Sequence, residues 1–377
     1  MEPKIENLSE IDGTLTFTLS GVDVSFANAV RRTIIADIPT VVFKTMPNEE
    51  NNANIIANTT RLNNEILKQR LSCIPIHISD LSMPLQNYML VINEENKTDT
   101  MMYVTTEHFK IKNKITDTFL EEKDLRKIFP PYIPPTGKGE YFIDFVRLRP
   151  KISDEILGEK INLTCEFSIG TCKEDSMFNV TGTCAYGYTQ DVQKMEDELE
   201  KQKQKWKDED KTAETIKFES ANWKLLEGLR YVKKNSFDYI IQSVGVFEND
   251  ELVVKACDIL IDRLKALLSL VDKDELEIRE SATTMDNCYD IILENEDYTI
   301  GNVLNYIAYS NFYTIGKILS FCGFKKMHPH DSYGIFRLAF EAPTSTKETL
   351  KDLLKVTIDE AIKVFKKMKG LPGLSKK

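Results

Sequence analysis

The chain has 377 residues, 42% of them hydrophobic and 29% charged, with a formal net charge of −10. That length holds two or three domains with buried cores, and the acidic balance argues against a chain that grips nucleic-acid phosphates alone. No apolar run approaches the roughly 20 residues that span a bilayer, residues 1–9 are too polar for a secretory leader, and seven scattered cysteines fit reduced thiols in an intracellular protein better than a disulfide framework.

Residues 14–19 alternate Thr with Leu or Phe, the pattern of a half-buried strand. A helix follows, with Asp23 or Ser25 available as its cap. Phe26, Ala29, Val30, Thr33 and Ile34 recur at helical spacing as one buried stripe, and Pro39 stops the helix. Arg31 and Arg32 project about 100° apart, so both cannot lie at the stripe's centre. They read either as solvated arginines or as rim cations aimed at a partner's carboxylate. Asn58 to Ile76 reads as a short amphipathic helix with Leu62, Ile66 and Leu67 on its apolar face. Thr60 with Asn63 or Asn64 offers capping chemistry, and Ser72 to Pro75 ends it.

Residues 85–184 read mainly as strands and loops, broken by Pro130, Pro131, Pro134, Pro135 and Gly137. Residues 190–234 mix Lys with Glu and Asp and read as a solvated helix plus an extended connection. An alternating strand runs from Phe237 to Gly245, and Leu252 to Leu268 carries the spacing of a long amphipathic helix.

The opening strand and helix then recur. Leu15, Phe17, Leu19, Phe26, Asn28, Ala29 and Val30 map onto Tyr289, Ile291, Leu293, Ile300, Asn302, Val303 and Leu304 with one offset of 274. Asp297 or Thr299 can cap this second helix, and Gly301 is expected to let another backbone approach. Two copies of one strand-turn-helix unit point to two similar half-domains that pair as a dimer would, here within one chain. Leu350 to Phe365 supplies the final helix.

The stretch from Ala27 to Thr40, containing Asn28-Ala29-Val30-Arg31-Arg32, resembles the first-helix signature of alpha-type RNA polymerase subunits, which are bacterial alpha, the archaeal D-like protein and the third-largest eukaryotic subunit. Asn58 to Ile76 is similar to that family's second signature, Asn-Thr at its start and Arg-Leu-x-x-Ile-Pro at its end. Glu296 to Leu304 and Gly323 to His330, with its His328-Pro329, resemble the small alpha-like partner, which is the eleventh subunit of polymerase II or the archaeal L-like protein.

The resemblance implies an α+β fold: two alpha-type dimerisation modules, each a sheet with packed helices, pairing within one chain, plus an inserted mainly-β domain. The expected boundaries are 1–42 with 185–272 for the alpha-like module and 43–184 for the insert. A polar excursion is expected at 190–234, a linker at 273–282, the small-partner module at 283–370 and a tail at 371–377. Phe26, Asn28, Val30, Ile34, Ile300, Asn302, Leu304 and Ile307 would form the intramolecular interface. Arg31, Arg32, Thr59, Thr60, Glu65 and Arg70 would contact a large polymerase subunit. Some relatives hold zinc or an iron–sulfur cluster in the insert, but residues 78–164 contain no cysteine, and Cys165, Cys172 and Cys184 lack C-x-x-C spacing. No metal or other cofactor is therefore expected. His328 and His330 would shape a loop or touch a partner.

Phosphate-loop, metalloprotease and paired-metal carboxylate motifs are missing from the sequence. The expected function is a non-catalytic scaffold of a DNA-directed RNA polymerase. Its partners would be the largest, second-largest and small polymerase subunits, with DNA reached only through the complex and no membrane. The fusion of the two modules suggests a large DNA virus, hence virion and host cytoplasm, and otherwise a nucleus. The alternative is a nucleic-acid-binding or regulatory module reusing the fold, which would need a basic face.

Overall fold

The computed structural model describes residues 1–153, 155–281, 285–342 and 346–374. In chain order they form β1 (Lys4–Ile11), β2 (Thr14–Ser20), α1 (Val24–Ala36), β3 (Thr40–Val42), β4 (Ala53–Asn58) and α2 (Asn64–Ser72). Next come β5 (Tyr88–Glu95), β6 (Met102–Thr105), β7 (Lys110–Asn113), β8 (Thr118–Phe119), α3 (Glu122–Ile128), β9 (Asp144–Leu148), β10 (Lys160–Glu166) and β11 (Ser168–Gly170). The chain continues with β12 (Thr181–Gln190), α4 (Val192–Asp208), α5 (Ala213–Leu225), β13 (Val232–Ser243) and α6 (Asn249–Asp272). It closes with β14 (Ile278–Glu280), β15 (Cys288–Glu294), α7 (Tyr298–Ala308), β16 (Leu319–Lys325), β17 (Tyr333–Phe340) and α8 (Lys347–Lys369). The class is α+β. These elements divide into two compact units, Met1–Ile34 with Thr183–Gln242 and Asn249–Lys377, and Ile35–Gly182 with Ser243–Glu248.

The first unit is a repeat of one topology. Its sheets run β1-β2-β13-β12 and β14-β15-β17-β16, the same order of equivalent strands. In each half a strand pair leads into a helix (α1 or α7), and a second strand pair leads into a longer one (α6 or α8). Alternation gives β2 its apolar face of Leu15, Phe17 and Leu19, all buried. Phe17 stacks on Tyr239 of β13 at 4.9 Å, and the Tyr239 hydroxyl donates to the Ala27 carbonyl at 2.5 Å, tying α1 to the sheet. The stripe of α1 buries Phe26, Ala29, Val30, Thr33 and Ile34. Phe26 meets Phe365 of α8 with ring centroids 5.1 Å apart. Among the helix pairs, α6 and α8 make the most extensive contact, with Leu260, Ile261 and Leu264 among the buried residues of α6 and Leu354, Ile358 and Ile362 among those of α8.

The second unit holds the five-stranded sheet β4-β10-β5-β7-β8 and the pairs β11-β3 and β6-β9. Its core joins Phe43, Leu67, Leu71, Phe109, Phe129 and Phe145. Phe109 meets Phe129 and Phe145 edge-on at 5.3 and 5.7 Å, an orientation that sets positive ring edges on negative faces. The buried Ser72 hydroxyl donates to the Phe43 carbonyl at 2.7 Å, anchoring the end of α2. Gly245 closes the turn after β13 at φ +99°, a conformation that disfavours a side chain.

Several expectations change in detail. The region 190–234 is not a helix plus an extended connection but two helices, α4 and α5, before β13 begins. Lys and Glu three residues apart, as in Lys201–Glu198 and Lys203–Glu200, support α4 without an apolar stripe along its whole length. The linker read at 273–282 contains β14, which pairs with β15 because Ile278 opposes Ile291. Residue 282 of that linker, residues 283, 284 and 343–345 of the small-partner module and residues 375–377 of the tail lie outside the described residues. The close neighbour of Gly301 is a side chain and not a backbone. A Cβ there would run into the Phe324 ring, so the glycine admits an aromatic group.

Phe26→Ala leaves a cavity against Phe365 and should cost about 3–5 kcal/mol in a urea titration. Phe365→Ala removes the same contact, so the double variant should cost less than the sum of the two single losses.

Candidate functional site

The expected interface residues Phe26, Val30, Ile34, Ile300, Leu304 and Ile307 are all buried. For Phe26 the partner is a helix of the other half. The ring of Phe26 meets α8, and the seam is carried by α6 beside α8. Salt bridges flank that seam: Lys369 to Asp258 at 2.6 Å and Lys355 to Asp272 at 2.7 Å. Asn28 and Asn302 are half-buried and line one polar recess, together with Asp23, Tyr186, Tyr306 and Tyr309.

Both arginines of α1 have partners within the chain, although Arg32 stays exposed. Arg32 Nε donates to Thr299 Oγ1 at 3.1 Å, and its Nη2 donates to Asp297 Oδ2 at 3.2 Å. Asp297 is also the cap of α7, accepting from the Thr299 amide at 2.8 Å. So the carboxylate that the arginine motif calls for comes from the other half of the same chain. Burial alone would raise the Asp297 pKa. Hydrogen bonds from Thr299 and the charges of Arg32 and Arg263 outweigh it and hold the carboxyl below its ordinary value. Arg263 of α6 grips Glu296 through Nε at 3.2 Å and Nη2 at 2.5 Å, with side chains only 20% and 15% exposed. This second cross-half pair carried no local signal. Arg31 folds back on its own helix, donating to Asn28 Oδ1 at 3.1 and 2.9 Å.

In the second unit, Asn63 caps α2 by accepting from the Ile66 amide at 2.9 Å. Thr59 Oγ1 accepts from the Lys160 amide at 2.8 Å, and Thr60 bonds to Asn58 at 2.9 and 2.7 Å. Arg70 donates to the carbonyls of Phe145 and Asp144, each at 2.7 Å. Three of the expected contact residues on this side are therefore also ordering the fold, while Glu65 faces outward. Ile66, read on the apolar face, is exposed instead, because Leu67 and Leu71 form the buried side of α2. Arg61, Arg70, Arg147 and Arg149 ring a groove of about 570 Å³ floored by Leu62 and Phe145.

Burial pushes the thiols of Cys165, Cys184, Cys257 and Cys322 up to about 12, where they are neutral and unreactive at physiological pH. Among the described residues no His, Cys, Asp and Glu cluster is arranged to hold a metal ion. His328 and His330 sit together in the exposed loop before β17, the His330 amide donating to His328 Nδ1 at 3.2 Å.

Residues 16–264 match the family described as the RNA polymerase Rpb3/Rpb11 dimerisation domain. The chain is 28% identical over 194 residues to the DNA-directed RNA polymerases I and III subunit rpac1 of Dictyostelium discoideum, covering 48% of this chain and 51% of that protein. It is 27% identical over 194 residues to DNA-directed RNA polymerase subunit Rpo3 of Picrophilus torridus, covering 50% and 65%. To Rpo3 of Methanosphaera stadtmanae it is 24% identical over 307 residues, covering 72% and 99%. The chain thus spans between half and two thirds of the length of the first two relatives and nearly all of the third.

Asp297→Asn keeps a competent helix cap but removes the charge that Arg32 and Arg263 face. Because the folded carboxyl titrates below its ordinary 3.8, its stabilisation is complete above that pH and disappears as pH falls through the folded value. The variant should be roughly 1 kcal/mol less stable near neutrality, with urea midpoints converging on the native chain's in strong acid.

Proposed function

The chain belongs to the RNA polymerase Rpb3/Rpb11 dimerisation-domain family, and from that premise we propose that it is a non-catalytic assembly subunit of a multisubunit DNA-directed RNA polymerase. One observation carries the reading: the family match over 16–264 is followed in the same chain by a second sheet with the same strand order and with α7 and α8 in the places of α1 and α6. In this reading residues 283–370 take the part of the small alpha-like partner, and the two modules form a pseudo-heterodimer without a second polypeptide. Joining them removes the entropic cost of their association.

The pair acts by position. A rigid platform that holds two large catalytic subunits raises the effective concentration of each for the other. The large-subunit contacts in this proposal are Arg31 and Arg32 on α1 of the first unit and, taken separately, Thr59, Thr60, Glu65 and Arg70 around α2 of the second. Small polymerase subunits would join the same assembly, DNA would be met only through it, and the chain would work inside the cell. Fusion of the two modules favours a viral polymerase, acting in the virion and host cytoplasm. The net charge of −10 speaks against the alternative of an independent nucleic-acid-binding module.

The test is affinity purification of the tagged chain from the cells that produce it, with mass spectrometry of what accompanies it. Two very large chains bearing polymerase carboxylate motifs should co-purify in near-equal amounts. Glu65→Arg alters an outward side chain and should lower recovery of one of them about tenfold, equivalent to about 1.4 kcal/mol. A chain that emerges alone, or only as a homodimer, would defeat the assignment.

A further inference from the structure

The heads of α1 and α7 are two copies of one arrangement, and only one copy is filled. The offset of 274 relates Asp23 to Asp297, Ser25 to Thr299, Asn28 to Asn302 and Arg32 to Tyr306. In both copies the aspartate Oδ1 accepts from the amide two residues on, Ser25 N at 2.9 Å and Thr299 N at 2.8 Å. At α7 the remaining acceptors hold a guanidinium: Arg32 Nε on Thr299 Oγ1 and Nη2 on Asp297 Oδ2. At α1 the residue in the place of Arg32 is Tyr306, which brings no cation. Ser25 Oγ is left buried without a hydrogen-bond partner, and Asp23 makes no ion pair among the described residues.

Above Asp23 lies a recess of about 440 Å³, walled by Tyr186, Tyr306 and Tyr309 and by the amide side chains of Asn302 and Asn305. The nearest cation on α1, Arg31, spends its guanidinium on Asn28 and does not reach the Asp23 carboxylate. Burial, and then the negative charge of Asp23, push the Tyr306 hydroxyl above its ordinary value. The rim continues into a π-helical turn, Tyr309–Ile315, where exposed Tyr309 stacks on exposed Tyr313 at 4.9 Å.

We propose that this recess is a docking site for an arginine side chain of a partner protein. A carboxylate with one unpaired oxygen, the side-chain amide of Asn302 and aromatic walls suit a planar, forked cation better than a compact ammonium, while the Asn305 oxygen already accepts from the Cys322 thiol at 3.1 Å. Tyrosine faces add attraction for a guanidinium. Arginine and tyrosine are also the residues enriched at the energetic centres of interfaces. The chain's own seat for Arg32 is the internal precedent for the geometry. The proposal does not depend on which assembly the chain enters.

Crystals of the full chain soaked in N-acetyl-arginine methylamide should show the guanidinium against Asp23. Soaks in the citrulline counterpart, neutral and of similar shape, should leave the recess without it, and the lysine counterpart should bind more weakly. Asp23→Asn retains a good helix cap, so the fold survives while arginine occupancy should be lost. Tyr306→Arg supplies the missing arginine from within and should exclude the probe while raising Tm by roughly 2–4 °C. An empty recess in the native chain, equal binding of citrulline or lysine, or an undiminished probe in Asp23→Asn would overturn the proposal. So would a Tyr306→Arg chain that loses stability and still takes the probe. Failure here leaves co-purification of the large subunits untouched, and their absence leaves the soaks untouched, so the two readings fall separately.

Discussion

The first unit depends on helical faces that neither half can bury alone. Leu260, Ile261 and Leu264 of α6 and Leu354, Ile358 and Ile362 of α8 are all buried, and these two helices lie against each other across the seam. Phe26 of α1 reaches the same seam through Phe365. At about 25 cal/mol per Å² of apolar surface removed from water, a contact of this kind dominates the energetics of the unit. The sheets behind the helices are consequences of it. Alternation in β2 and β15 turns one face of each sheet towards its helices, and Tyr239 pins α1 down by a hydrogen bond to Ala27.

Apolar burial alone does not say which half should meet which. The charges do. Arg263 and Glu296 form a largely buried pair that exists only when a first half meets a second half. The offset sets Val22 where Glu296 stands, so two first halves paired in this way would leave Arg263 without its carboxylate. A poorly solvated charge without its partner is a strong penalty, and a penalty on the wrong pairing is how specificity is built when the right and wrong faces are equally apolar. Arg32 contributes less to this choice, because the first half carries an equivalent acceptor in Asp23. That same equivalence is what leaves the head of α1 with an unfilled seat.

What the sequence made legible was local. Helix starts came from capping aspartates and apolar spacing, and the buried stripe of α1 came from the i, i+3, i+4 recurrence. The constant offset of 274 runs through β2 and into α1, and the structure sets equivalent strands and caps along it. What escaped was anything decided by distant packing. The partners of Arg32 lie 265 and 267 positions away, and nothing near either end distinguishes a cross-half ion pair from a solvated arginine. The meeting of Phe26 with Phe365 of α8 is likewise decided by packing between residues more than 300 positions apart. The edge strand β14 was hidden because three residues, Ile-Arg-Glu in a charged stretch, carry too little periodicity to separate a strand from a connection.

The repeat also explains why counting works in one region and fails in another. The first helices of the two halves begin 274 positions apart, at Val24 and Tyr298, but the last helices begin at Asn249 and Lys347, only 98 apart (347 − 249). Nearly all of the difference enters at two junctions. Between the first helix and the third strand, the first half takes in nearly the whole second unit, where the second half has the π-helical turn Tyr309–Ile315. Between the third and fourth strands, the first half takes in α4 and α5, where the second half has the His328-Pro329 loop. Lengthening a connection costs only slowly more entropy, whereas moving one residue of a paired helix face leaves a cavity or a clash. A half that keeps its helix faces can therefore extend its junctions without loosening the pairing, and the residues that hold the seam keep their register while the connections between them do not.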